Sequence, residues 1–442
     1  MMRAAVVESE ISDSKLPMVI IGLLFFIFGF VTWLNGALIP FLQTICELSA
    51  FEAMLVASAF YIAYTVMALP MAAIIEKTGY KNGMALGLAL VALGALVFIP
   101  AAYSRMFGIF LLAQFVVGSG LTILQTASNP YIVRLGSQET AAVRICIMGL
   151  LNKGAGIVAP IVFAVLVMSG ISGISTVELD ALSPLAKEAK LDELAGQLVS
   201  PYLGMALLGG ILAVAMLFAP LPDIDEGVVE GQEETTVTLG GLMKFPRLVL
   251  GSVALFFYVG VEVIAGDAIG LLGIQAGMDT ADAAVLTSYT MIFMVLGYLY
   301  GTAVIPRLMS QQTALLISAI LGILFTLLVM TGSLENTALS AASLSLLGLP
   351  EVPNAVFFVA LLGFANAMCW PAIWPLALDG LGKFTSRGSA LLIMGISGGA
   401  ILPPLYGHFA DTGDGQAAYL IAVPAYLFIL FYAVKGHKMR SW

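Results

Sequence analysis

FFIFGFVTWLNGALI (25–39) and FFYVGVEVIAGDAIG (256–270) are the two stretches on which the fold turns. They lie 231 residues apart and share Phe25/Phe256, Phe26/Phe257 and Gly29/Gly260. Two more pairs follow in the same order. IIEKTGYK (74–81) corresponds to VIPRLMSQ (304–311) at an offset of 230, and GAGIVAP (154–160) to GGAILPP (398–404) at 244. Drift of this size is what unequal loops produce, so the chain reads as one unit used twice.

Each unit is apolar throughout. The 442 residues are 60% hydrophobic and 10% charged, where a soluble domain carries roughly 25% charge. Helices need about 20 apolar residues to cross roughly 30 Å of hydrocarbon, and the runs here are that long without the alternation of a barrel. The expected spans are 17–43, 51–75, 83–103, 106–133, 143–170, 199–221, 246–276, 283–304, 311–333, 352–379, 387–409 and 415–435. The reading is therefore an all-α integral membrane protein of twelve transmembrane helices in two pseudo-symmetric six-helix bundles.

The basic residues give the orientation. Of 18 Lys and Arg, 14 lie in alternate connections and the termini, three (Arg105, Lys187, Lys190) lie in the opposite set, and Lys153 lies inside a span. Lys and Arg in short loops stay on the cytoplasmic face, so both termini are expected inside a bacterial-type inner membrane. The expected parts are an N-terminal tail (1–16), a first bundle (17–221), a cytoplasmic linker (222–245), a second bundle (246–435) and a C-terminal tail (436–442). The acidic start of the tail lacks the grammar of a cleaved signal, so span one is expected to be retained. Residues 171–198 read as an amphipathic excursion on the outer side.

The two-bundle plan resembles that of the major facilitator superfamily. AIIEKTGYK resembles its G-x-x-x-D-[RK]-x-G signature, with Ala72 at the first Gly, Glu76 for Asp, Lys77 for the base and Gly79 retained. This implies a gating turn at Glu76, Lys77 and Gly79, answered in the repeat by Arg307. A narrower resemblance runs through LNGALIPFL (34–42), LQTASNPYIVRLG (124–136), ICIMGLLNKGAG (145–156), YVGVEVIAGD (258–267) and WPAIWPLALDGLGK (370–383). Together these resemble the fucose and glucose/galactose:proton symporter group, which implies monosaccharide uptake driven by a cation gradient through alternating access. Fucose-type members carry an Asp after the LN and a Glu in L-[EQ]-T-A. Gly36 and Gln125 stand there in this chain, and the repeat places Asp267 opposite Gly36.

Ionisable groups within membrane helices cost roughly 2.5 to 3.5 kcal/mol or more each, so they should face water or one another. Lys153, Glu262 and Asp267 are the clear cases. Glu262 and Asp267 are five residues apart, about 140° around a helix, and so have different roles. Lys153 is expected to pair with one of them across the cavity, leaving a negative charge to take a proton or a sodium ion. No metal ligand set and no cofactor are expected. The alternative is Na+ at Glu262 or Asp267.

A sugar needs amides for its hydroxyls and an apolar plate for its ring. Asn35, Gln125, Asn129, Asn152 and Asn366 supply the first, and Trp370 with Trp374, spaced i,i+4, the second. Helix-bending prolines (Pro130, Pro160, Pro371, Pro375, Pro403, Pro404) recur at matching points of the two halves. The expected substrate is a hexose such as glucose, galactose or mannose, with N-acetylglucosamine or another amino sugar as the alternative. An enzyme is disfavoured, because His408 and His437 are the only histidines and no nucleophile or nucleotide constellation accompanies them. Five amides and three charges also disfavour a drug exporter. With a net charge of -9 and no basic face, no nucleic-acid partner is expected. The chain is expected to work as a monomer in the lipid bilayer.

Overall fold

The computed structural model describes residues 15–135, 141–168, 179, 181–221, 239–305, 308–381 and 385–442. Among them, twelve helices are long and apolar enough to cross a membrane. In chain order they are α1 (Lys15–Ile45), α2 (Ala50–Ala68), α3 (Lys77–Ser104), α4 (Phe107–Arg134), α5 (Ala141–Met168) and α6 (Val199–Phe218). The second set is α7 (Pro246–Asp267), α8 (Thr280–Val304), α9 (Gln311–Thr331), α10 (Asn354–Leu378), α11 (Leu391–Thr412) and α12 (Gly415–Lys438).

Breaks within this pattern fall where the sequence allows them. At the start of α3, Gly79 takes φ 79° and ψ 165°, a positive-φ kink that favours glycine. Of the spans that differ from the expected continuous runs, two bear on the site. The seventh stops at Asp267, and a separate short helix, Ile269–Gln275, follows. The tenth is interrupted after Asn366 and resumes at Cys369. Of the expected outer excursion, Pro184–Gly196 is helical and starts at a Ser183 cap. Arg105 binds Glu188 at 2.9 Å and Asp192 at 3.1 Å, and Lys187 binds Glu47 at 2.6 Å, so this helix is fastened over the ends of α1 and α3. Beneath it, burial pushes the Cys46 thiol up to about 11 against the opposing pull of Arg105, which keeps it a protonated, unreactive thiol.

The duplication seen in sequence is a duplication in packing. In the first half Gly118 of α4 lies against the Phe60 carbonyl of α2. In the second, Gly363 of α10 lies against the Thr290 carbonyl of α8. Likewise Gly29 of α1 meets the Asn152 carbonyl of α5, and Gly398 at the head of the last α11 segment meets the Phe256 carbonyl of α7. A side chain at any of these four positions would collide with backbone, so each glycine is the condition for two helices to touch.

The halves meet through α1 against α7 and α8, α2 against α11, and α5 against α8. They are hydrogen-bonded to each other at the end where α1 finishes and α2 begins. There the four exposed amides at the start of α2, which helix geometry leaves without intrahelical partners, are all satisfied. Ser49 and Glu52 form a reciprocal capping box. The Asp411 carboxylate, from the other half, accepts from the Ala50 and Phe51 amides at 2.7 and 2.8 Å. Gly407 packs on Ala50, Thr44 touches Thr280 at 3.4 Å, and the Ser58 hydroxyl donates to the Ala400 carbonyl at 2.5 Å.

Asp411 should therefore stabilise this closure by about 0.5–2 kcal/mol, the worth of a capping acceptor at an exposed helix start. Spin labels on Thr44→Cys and Thr280→Cys should show a larger separated population when Asp411→Ala is added. An unchanged distance distribution would contradict the assignment.

Candidate functional site: a charged and aromatic seam between the halves

At mid-depth, α5 and α7 bring the first two intramembrane charges together. The Lys153 ammonium donates to Oε1 of Glu262 at 2.6 Å, with side chains 11% and 9% exposed. This is a bond between halves, as the reasoning from charge required. Of the two acids proposed as its partner, Glu262 takes the role. Asp267 stands apart as the last residue of α7, with 0% exposure and no hydrogen-bond partner for either carboxylate oxygen. The angular argument that separated the two acids holds in the fold.

Lys153 has a second neighbour. Its ammonium sits 4.5 Å from the centre of the Trp33 ring on α1. Trp33 is 2% exposed, its Nε1 has no acceptor, and glycines leave room for it on both sides. A methyl group at Gly156 would lie 2.7 Å from Cδ1, and one at Gly266 2.5 Å from Cζ3. The neighbouring Gly36 is equally constrained: a side chain there would strike the Thr287 hydroxyl, which itself donates to the Gly266 carbonyl at 2.6 Å. The acid that fucose-type members carry after the LN therefore has no room in this conformation. Its repeat counterpart, Asp267, does.

Around the ion pair lies an aromatic wall. Trp370 and Trp374 stack on each other (5.2 Å, 23°), and Trp370 lies 6.5 Å from Tyr258, whose hydroxyl reaches Glu262. From the first half, Tyr61 rests its ring on Gly399 and feels the charges of both Asp267 and Glu262. It stacks on Tyr64 (6.2 Å, 27°), and the Tyr64 hydroxyl accepts from Gln125 at 2.8 Å.

The expected amides divide. Gln125 and Asn152 are half-buried, with Asn152 making only a long 3.5 Å bond to the Phe25 carbonyl. Asn35 and Asn366 are buried fasteners within their own halves, accepting from Gln114 and Tyr426 at 2.8 Å each. The side chains of Asn129 and Glu76 and the whole of Arg307 lie outside the described residues. Lys77 is exposed at the turn that Gly79 makes. Sequence reasoning passed over Trp33, Tyr61, Tyr64 and Tyr258, because aromatic side chains in apolar helices carry no signal of their own. Their adjacency to charge appears only in three dimensions.

Twelve helices in two matching sixes, with a charged seam between them, define a membrane carrier of the major facilitator type. The sequence model of the Major Facilitator Superfamily matches residues 21–383. This chain belongs to that superfamily, a family of transporters rather than enzymes, and within it to the fucose and glucose/galactose:proton symporter group. It is 34% identical over 423 residues to a glucose/galactose transporter of Brucella abortus, covering 94% of this chain and 93% of that one. An L-fucose-proton symporter of Haemophilus influenzae is 28% identical, over 100% of this chain and 99% of the relative. In fold, the chain resembles the transporter FucP solved in the outward conformation, with TM-score 0.69, 24% identity, and 97% and 99% of the two chains covered.

Gly36→Ala should destabilise the closed end through Thr287, lowering the yield of a disulfide between Thr44→Cys and Thr280→Cys at least five-fold. Thr287→Ala should restore part of it. An unaltered yield in Gly36→Ala would show that the contact does not limit closure.

Proposed function

We propose that this protein imports a hexose, with glucose and galactose as the first choices, by symport with H+. The observation that carries the reading is the Lys153–Glu262 bond between the two halves, with Asp267 left unpaired at the same seam. The names of the relatives support the substrate class and the coupling ion. Placement of the basic loops supports both termini in the cytoplasm, two bundles (17–221 and 246–435), a linker at 222–245 between them, and tails at 1–16 and 436–442. In that orientation the closed end faces outward, and this conformation is the one that has closed behind its cargo.

The chemistry follows from charge. Lys153 and Glu262 cancel each other, while Asp267 would be a bare anion in a sealed place, at a cost of several kcal/mol. The outer end therefore closes over Asp267 only when it holds a proton, which makes the proton obligatory. Glu262 lies within electrostatic reach of Asp267 and is paired to a releasable base, so it is the group through which the proton leaves. Gln125, Asn129 and Asn152 would bind sugar hydroxyls, and the Trp370–Trp374 pair would offer its free face to the ring. Asn35 and Asn366 would hold the helices that carry these groups. The turn at Glu76, Lys77 and Gly79, with Arg307 opposite, would gate the cytoplasmic end. The carrier would act as a single chain in the inner membrane.

Right-side-out vesicles with pH and sodium gradients imposed separately, given a panel of glucose, galactose, mannose, fucose and N-acetylglucosamine, test the proposal. Accumulation should follow the pH gradient alone and favour glucose or galactose. Asp267→Asn should lower accumulation more than ten-fold while leaving sugar exchange intact. Undiminished accumulation in both Asp267→Asn and Glu262→Gln would refute proton coupling at this seam, and accumulation driven by sodium would refute the ion.

A further inference from the structure

Lys153 has one partner in each half of the molecule, and the two partners behave differently when the halves move. Glu262 belongs to α7, across the seam, so its 2.6 Å bond to Lys153 must lengthen whenever the outer end opens. Trp33 belongs to α1, which packs along α5 within the same half, so its ring keeps its place beneath the ammonium. We propose that Trp33 is a positioning residue for coupling. In this role it holds the Lys153 ammonium on its face after the bond to Glu262 breaks, so that Glu262 can carry a proton while Lys153 stays charged and in place. The proposal rests on the coupling role given above to Lys153 and Glu262.

Three features of the site support this role. An ammonium over an indole face is attracted by the ring's negative quadrupole, and more strongly where water is scarce. Trp33 is 2% exposed, and Lys153 11% along its side chain. The ring is held by shape rather than by a hydrogen bond: its Nε1 has no acceptor, Gly156 lies against its Cδ1 end and Gly266 against its Cζ3 end, and Met291 packs with it. Finally, Gly266 and Met291 are in the moving half. When the outer end opens, they withdraw and Gly156 and the ammonium remain, so the ring stays with Lys153.

The test compares Trp33→Leu, which removes the π face, with Trp33→Phe, which keeps a smaller one, in reconstituted vesicles given radiolabelled galactose. Trp33→Leu should lower gradient-driven accumulation at least ten-fold while equilibrium exchange stays within three-fold of the parent. Trp33→Phe should recover accumulation to within about three-fold. Normal accumulation by Trp33→Leu overturns the proposal. So does joint loss of exchange and accumulation in both variants, which would mark the ring as packing alone. Lys153→Gln, assayed alongside, separates the two layers. If it still accumulates sugar, the coupling reading itself falls. If it does not, while Trp33→Leu does, only the role of Trp33 falls.

Discussion

A salt bridge between two halves that must separate is the constraint around which this molecule is built. Lys153 and Glu262 each lie in a helix that cannot afford a bare charge at that depth, so each needs the other while the halves are closed. Breaking the bond exposes both, and opening is tolerable only where something replaces the lost partner. Around the pair lie an indole under the ammonium, a phenol at the carboxylate, and a second acid within electrostatic reach.

Closure itself is steric as much as electrostatic. Glycines at 36, 156, 266, 399 and 407 let α1 and α5 with their neighbours, and α2 with α11, come together closely enough that Trp33 and Tyr61 become walls rather than obstacles. Asp411 completes the seam by capping a helix of the opposite half, so these ends of α2 and α11 part only by giving up two charged hydrogen bonds. A carrier needs two conformations of similar energy. The seam adds a few directional bonds and close glycine contacts to apolar packing such as that of Trp33 with Met291.

Much of this was legible in the sequence because membranes make charge and length expensive. Twelve spans, the duplication and the need of Lys153 for an acidic partner in the other half all follow from the cost of polar groups in hydrocarbon. The choice of Glu262 over Asp267 as partner was not legible. Helical spacing shows that the two acids point apart, but not which one faces α5. Nor could the amides be sorted. Asn35 and Gln125 look alike in a helix, yet one is bound to Gln114 and buried while the other stands half-open beside Tyr64. The breaks at Ala268 and after Asn366 were also missed, since Gly266 and Ala367–Met368 interrupt no hydrophobic run. They set the ends of the two helices that carry Asp267 and the tryptophan pair.

The most direct measurement of the central claim is a double-mutant cycle on sugar exchange with Lys153→Gln, Glu262→Gln and the two combined. If these groups neutralise each other across the seam, either single change leaves a buried charge worth about 3–5 kcal/mol unpaired and slows exchange strongly. The double variant then exchanges faster than either single one. Additive losses, with the double variant slower than both, would mean that the two charges act independently and that the account is wrong.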